Sequence, residues 1–72
     1  MLTLLFIDDD EKELSILEQI LPMYHVIGSV RGTEGLRIIT EKHVDLILLD
    51  LDLPDMDGFT ILEHMRDIQE PP

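Results

Sequence analysis

The 72-residue sequence contains no cysteine, which excludes a disulfide framework and a thiolate metal site as reinforcement for a small core. Basic residues are scarce, five Lys and Arg against sixteen Asp and Glu, leaving a net charge of -11. That balance repels nucleic acid and anionic membrane surfaces and favours cations or basic protein partners. No apolar run approaches a membrane span. The apolar start from Met1 to Ile7 has no basic flank and stops at three carboxylates, unlike a signal peptide. The chain therefore reads as cytoplasmic. Repeats, low-complexity stretches and internal linkers are also lacking. A chain this short buries only about 60% of the surface its unfolded form exposes, so one small core is the most to expect.

What is present is an alternation of apolar runs and helical periodicities, with 44% apolar residues to drive collapse. Leu2 to Ile7 is nearly continuous and apolar, as suits a strand covered on both faces of a parallel sheet. Leu14, Leu17 and Leu21 then recur at helical spacing, and Pro22 follows, which predicts a first helix over about Asp10 to Leu21. Tyr24 to Val30 reads as a second strand. Gly32-Thr33 supplies a turn and cap before a second helix over Glu34 to Lys42. Val44 to Leu49 is a third strand, apolar on both faces as befits an interior position. After a loop rich in Pro, Asp and Gly, the positions Ile61, Leu62, Met65 and Ile68 predict a third helix. Pro71-Pro72 reads as the start of a connection. Strand-helix units of this kind build a parallel sheet with right-handed crossovers.

Chemistry concentrates where strands end. Asp8, Asp9 and Asp10 follow the first strand, and Asp50 and Asp52 the third. With strand order 2-1-3 these carboxylates line the crevice where open α/β sheets bind ligands. An Asp between strand and helix is also an ordinary N-cap. The carboxylates of two strand ends facing each other, however, raise one another's pKa and call for a cation or a proton. Mg²⁺ suits such a set, since it prefers oxygen ligands and is commonly held by one or two carboxylates together with a phosphate.

The segment Phe6-Ile7-Asp8-Asp9, the strand Asp45-Leu46-Ile47-Leu48-Leu49-Asp50, Pro54 four residues further on, and Met56-Asp57-Gly58 resemble the receiver domain of two-component signalling. The resemblance implies an α/β fold, a partial flavodoxin-like doubly wound parallel sheet with three strands in order 2-1-3 and three helices. It spans essentially all 72 residues but about three-fifths of a receiver, so it implies one truncated receiver domain over residues 1–72. It implies Asp50 as phosphoacceptor, Asp9 as a direct Mg²⁺ (or Mn²⁺) ligand, Asp8 as a ligand largely through water, and Asp52 as the position whose backbone carbonyl completes the metal site. Pro54 and Gly58 match the family's loop. The implied partner is a histidine kinase or phosphotransfer protein, and the implied role is phosphoacceptor rather than turnover enzyme. A receiver's hydroxyl residue, switch aromatic and Lys would all fall beyond Pro72. Lys12, Arg31, Arg37, Lys42 and Arg66, placed in helices or near the far side, do not match that Lys. A strand 3 left without its neighbour implies a homo-oligomer joined at that edge.

The alternative from another class is a haloacid-dehalogenase-type phosphatase, whose first motif resembles four apolar residues followed by Asp50-x-Asp52. Leu53-Pro54 stands where that family has Thr, and the alternative gives no role to Asp8-Asp9. His25, His43 and His64 lack ligand spacing, the methionines read as gap-filling apolar residues, and Pro54 excludes an EF-hand loop. Gly35 inside the second helix costs about 1 kcal/mol of helix propensity, which is tolerable but unhelpful in a marginal core.

Overall fold

Apolar runs and helical periodicities alternate along the chain, and the elements follow them. A computed structural model, which describes residues 1–69, contains β1 (Thr3–Ile7), α1 (Glu11–Ile20), β2 (His25–Ser29), α2 (Gly32–Glu41), β3 (Leu46–Leu49) and α3 (Gly58–Gln69). The connection read into Pro71-Pro72 lies outside the described residues. The strands form one parallel sheet in the order β2-β1-β3, as expected. Thr3 pairs with His25 and Leu4 with Leu46, while Ile7 lies opposite both Ser29 and Leu49. All three strands therefore end on one edge, and the loops after β1 and β3 emerge side by side.

The period of two in a strand sends alternate side chains to opposite faces. Leu5 and Ile7 point into the core with Ile38 of α2, Leu53, and Ile61 and Met65 of α3; Ile27, Ile47 and Leu49 pack against this cluster. Leu5, Ile7 and Ile61 are completely buried, each contributing about 1.5–3 kcal/mol by removal from water. The other face carries Phe6, with Gly28 and Leu48 as its sheet neighbours. There α1 packs closely, for a Cβ on Gly28 would collide with the methyls of Leu14.

Two expectations are corrected. Gly35 does have a packing role: it is buried, and a Cβ there would lie 2.5 Å from Ile7 Cδ1 and 2.9 Å from Ile7 Cγ1. Only a residue without a side chain lets α2 sit this close to β1. Helix α2 begins at Gly32, not Glu34. Its N-cap residue is Arg31, which makes no side-chain capping bond, and Thr33 is not the cap. As the expected 2-1-3 order implies, among the described residues β3 is an edge strand, although its apolar run is of the kind an interior strand carries. On the α1 face its Leu46 and Leu48 remain 44% and 42% exposed, because α1 lies over β2 and does not reach them. Among the described residues no helix is long and apolar enough to cross a membrane.

Candidate functional site

Hydrogen bonding continues past the ends of the strands and fixes the first residue of each loop. Asp8 donates its N–H to Ser29 O at 3.0 Å, and Asp50 donates its N–H to Ile7 O at 2.8 Å. Both side chains then turn back on their own loops. Asp8 Oδ1 accepts from Asp10 N–H at 2.9 Å, and Asp50 Oδ1 accepts from Asp52 N–H at 3.1 Å. These are Asx turns, in which a short carboxylate captures the amide two residues on, and they restrict the rotation of both carboxylates. Asp10 completes the first loop by capping α1 through Lys12 N–H at 2.9 Å, so here the ordinary capping role applies to Asp10 alone.

The result is an acidic cluster. Asp8, Asp9 and Asp50 each offer a carboxylate oxygen, and the three oxygens lie within 4.8 Å of one another. They stand in an open crevice of about 490 Å³ lined also by Phe6, Asp10, Glu13, Leu48 and Leu49. Asp52 is exposed and its side chain lies outside this set; only the backbone carbonyl assigned to it from the resemblance remains a candidate. None of the five basic residues lines the crevice. Arg31 is not on the far side, however: it follows β2 at the same end of the sheet and is the N-cap residue of α2.

Glu13 belongs to the site and was not singled out in the sequence. It stands three residues after the capping Asp10, where a carboxylate commonly reaches back to the N-cap amide. That amide is already bonded to Asp8 Oδ1, and Glu13 instead shares a hydrogen bond with the Asp8 carboxylate. This bond and the negative charges of Asp8, Asp10 and Asp50 push the Glu13 carboxyl up to about 7. The same bond from Glu13 holds Asp8 below its ordinary value, helped by the Asp10 amide and opposed by desolvation. A group of carboxylates that retains a proton near neutrality is one in which a cation can take the proton's place.

The donor set fits a hard divalent cation. It consists of carboxylate oxygens within 4.8 Å of one another, the ligand type such a cation prefers.

Beyond Asp50 the chain forms a closed loop. Gly58 donates its N–H to Leu51 O at 3.1 Å, Asp52 and Asp57 form an isolated antiparallel bridge, and Leu53 is buried in the core. Asp57 caps α3, accepting from Thr60 N–H and Thr60 Oγ1 at 2.9 Å each.

Comparison with known proteins agrees with this architecture. The family model described as response regulator receiver domain matches residues 4–72. The Two-component response regulator ARR11 of Arabidopsis thaliana is 40% identical over 68 residues, covering 89% of this chain and 13% of that protein. A response regulator receiver domain protein (CheY-like) from Methanospirillum hungatei superimposes with a TM-score of 0.89 at 34% identity, covering 96% of this chain and 57% of that one. A chain in the crystal structure of histidine kinase ThkA in complex with response regulator protein TrrA gives 0.86 at 25% identity, with coverages of 93% and 60%. The chain thus spans a small part of the curated relative and under two thirds of these solved chains. The phosphatase alternative gains no support. Sequence match, strand order and the paired carboxylates at adjoining strand ends together place the chain in the response regulator receiver domain family.

Proposed function

We propose that this chain is a phosphoacceptor module in which Asp50 takes a phosphoryl group from a phosphohistidine on a histidine kinase or phosphotransfer protein. The observation that carries the reading is the convergence of Asp8, Asp9 and Asp50 within 4.8 Å at the shared edge of the sheet. In this reading Asp8, Asp9, Asp50 and the Asp52 backbone carbonyl hold Mg²⁺ or Mn²⁺. When bound, the ion neutralises charge on the transferring group and on the carboxylates around it.

The chain's own residues prepare the nucleophile. The Asp50 N–H to Ile7 O bond and the Asp52 N–H to Asp50 Oδ1 bond hold the carboxylate at the mouth of the crevice, so little orientation is lost on reaction. A carboxylate oxygen of Asp50 forms the new O–P bond while the P–N bond to the donor imidazole breaks, its electron pair returning to the ring. The product is an acyl phosphate. It adds about 1.5–2 negative charges to an already acidic edge, which is the local electrostatic change a receiver would pass on. The module acts as a stoichiometric acceptor, not a turnover enzyme, in the cytoplasm and without nucleic acid or membrane contact of its own. For the 72-residue polypeptide by itself, the open β3 edge with exposed Leu46 and Leu48 supports pairing between two copies.

The test is labelling with a small acyl-phosphate donor and Mg²⁺, read by intact mass and peptide mapping. Asp50 alone is expected to gain a phosphoryl group, slowly, because no basic side chain lines the crevice to balance the charge. Asp50→Asn is expected to abolish it. Label persisting in that variant, or residing on His25, His43 or His64, rejects the assignment.

A further inference from the structure

Helix α2 lacks a capping side chain of its own, since Arg31 makes no such bond. The cap comes from another part of the fold. Asp55, in the loop that follows Asp50, places Oδ1 2.9 Å from Gly32 N–H and Oδ2 3.1 Å from both Thr33 N–H and Thr33 Oγ1. The first two amides of a helix have no partner within it and carry the positive end of its dipole. A carboxylate supplied across 22 and 23 residues satisfies both. Donation from Gly32 and then Thr33 holds the Asp55 carboxyl below its ordinary value, so the anion is present throughout the neutral range.

The apolar side of the junction is equally close. Met56 packs on the core beside the loop's buried Leu53. A Cβ on Gly32 would lie 2.7 Å from Met56 Cγ and 2.6 Å from Ile61 Cδ1. At its base the loop is closed by Gly58 N–H to Leu51 O and by the Asp52–Asp57 bridge. The segment from Asp50 to Gly58 is thus held at three places: at Ile7 by the Asp50 amide, at its own base, and at α2 by Asp55.

We propose that Asp55 is a positioning residue for the phosphoacceptor loop: its carboxylate, anchored on the N-terminal amides of α2, sets the loop in the register that presents Asp50 and the Asp52 carbonyl to a divalent cation. The inference rests on the reading of Asp8, Asp9 and Asp50 as a cation site and goes beyond it. One consequence is reciprocal, because a linkage that lets α2 hold the loop also lets occupancy of the site be felt at α2.

The experiment is an amide NMR titration of the ¹⁵N-labelled 72-residue chain with MgCl₂, in the wild type, Asp55→Ala and Asp55→Asn. In the wild type, Mg²⁺ is expected to shift the amides of Asp50 and Asp52 and, with the same dissociation constant, those of Gly32 and Thr33. Asp55→Ala is expected to weaken Mg²⁺ binding by about tenfold, as the loss of a supporting partner behind a metal site does, and to silence Gly32 and Thr33. Asp55→Asn keeps a side-chain oxygen for one amide and is expected to recover most of the affinity. A wild type in which Asp50 and Asp52 respond while Gly32 and Thr33 do not overturns the inference, and this arm stands even if Asp55→Ala fails to fold. A folded Asp55→Ala with unchanged Mg²⁺ affinity and only a lowered Tm overturns it too, leaving Asp55 a helix cap. Absence of any Mg²⁺ response at Asp8, Asp9 and Asp50 in the wild type overturns the cation site itself, and the inference with it.

Discussion

The amide of Asp50 donates to the carbonyl of Ile7 at 2.8 Å, so the proposed phosphoacceptor is tied to the residue immediately before Asp8. The bond prolongs the β1–β3 pairing beyond Leu49. Carboxylates 42 residues apart in sequence are thereby held as neighbours by backbone pairing, and like charges are kept closer than they would settle by themselves.

That enforced proximity makes the fold responsive to divalent cations. Mg²⁺ or Mn²⁺ in the range of about 1–10 mM, on the order of the dissociation constant of a weak carboxylate site, is expected to raise Tm by binding the folded state alone. Asp9→Asn and Asp50→Asn are each expected to reduce the shift. Thermal melts with and without MgCl₂ check this; equal shifts in all three proteins would contradict it.

The pH dependence has a definite sign. Glu13 is raised from 4.5 to about 7 by its bond to Asp8 and the surrounding charge. The folded state thus holds that proton more tightly than the unfolded chain, and the contribution is complete below about 4.5 and lost as pH rises through about 7. Asp8 is lowered by the same bond, so its contribution is present above about 3.8 and lost as pH falls below that value. Metal-free stability is therefore expected to decline from about pH 5 to about pH 8, with the Mg²⁺-induced rise in Tm growing over the same interval as the cation displaces the shared proton. Glu13→Gln is expected to flatten both trends in a series of melts across that range.

The β3 edge bears on assembly. Leu46 and Leu48 expose 44% and 42% of their surface beside unpaired backbone groups, the arrangement that invites strand addition. The isolated 72-residue polypeptide is expected to self-associate in the micromolar range by sedimentation equilibrium. Leu48→Lys, which puts a charge on that surface, is expected to shift it toward monomer. A wild-type monomer with a cooperative thermal transition would remove this expectation.

Ile61 joins α3 to the sheet and is completely buried. Ile61→Ala is expected to cost about 2–5 kcal/mol, enough to unfold much of the chain at 25 °C given the modest stability of small domains. Circular dichroism at that temperature checks it, and Ile61→Val, expected to cost about 0.5–1.5 kcal/mol, should retain the fold.

Sequence alone determined whatever depends on short-range pattern. Apolar runs ending in carboxylates marked β1 and β3 because a parallel sheet buries its strands on both faces and ends them at solvent. Helical spacing marked α1 and α2 to within about two residues at each end and placed α3 without fixing its bounds. The motif around Asp50, with Asp8 and Asp9, was legible because those residue types stand at fixed offsets from strand ends. Relationships between distant segments required the tertiary structure. Asp55 as the cap of α2 has no local signature, since its partners lie 22 and 23 residues away. Gly35 looked like a weakness of its helix until its separation from Ile7 was known. Glu13 resembled one more acid in a first turn, and only the prior claim of Asp8 on the Asp10 amide directs it into the site. The 2-1-3 order already put β3 at the edge, and only the tertiary structure decided how far Leu46 and Leu48 stay uncovered there, at 44% and 42% exposed, because an apolar run records what a strand can bury and not whether a neighbour is there to cover it.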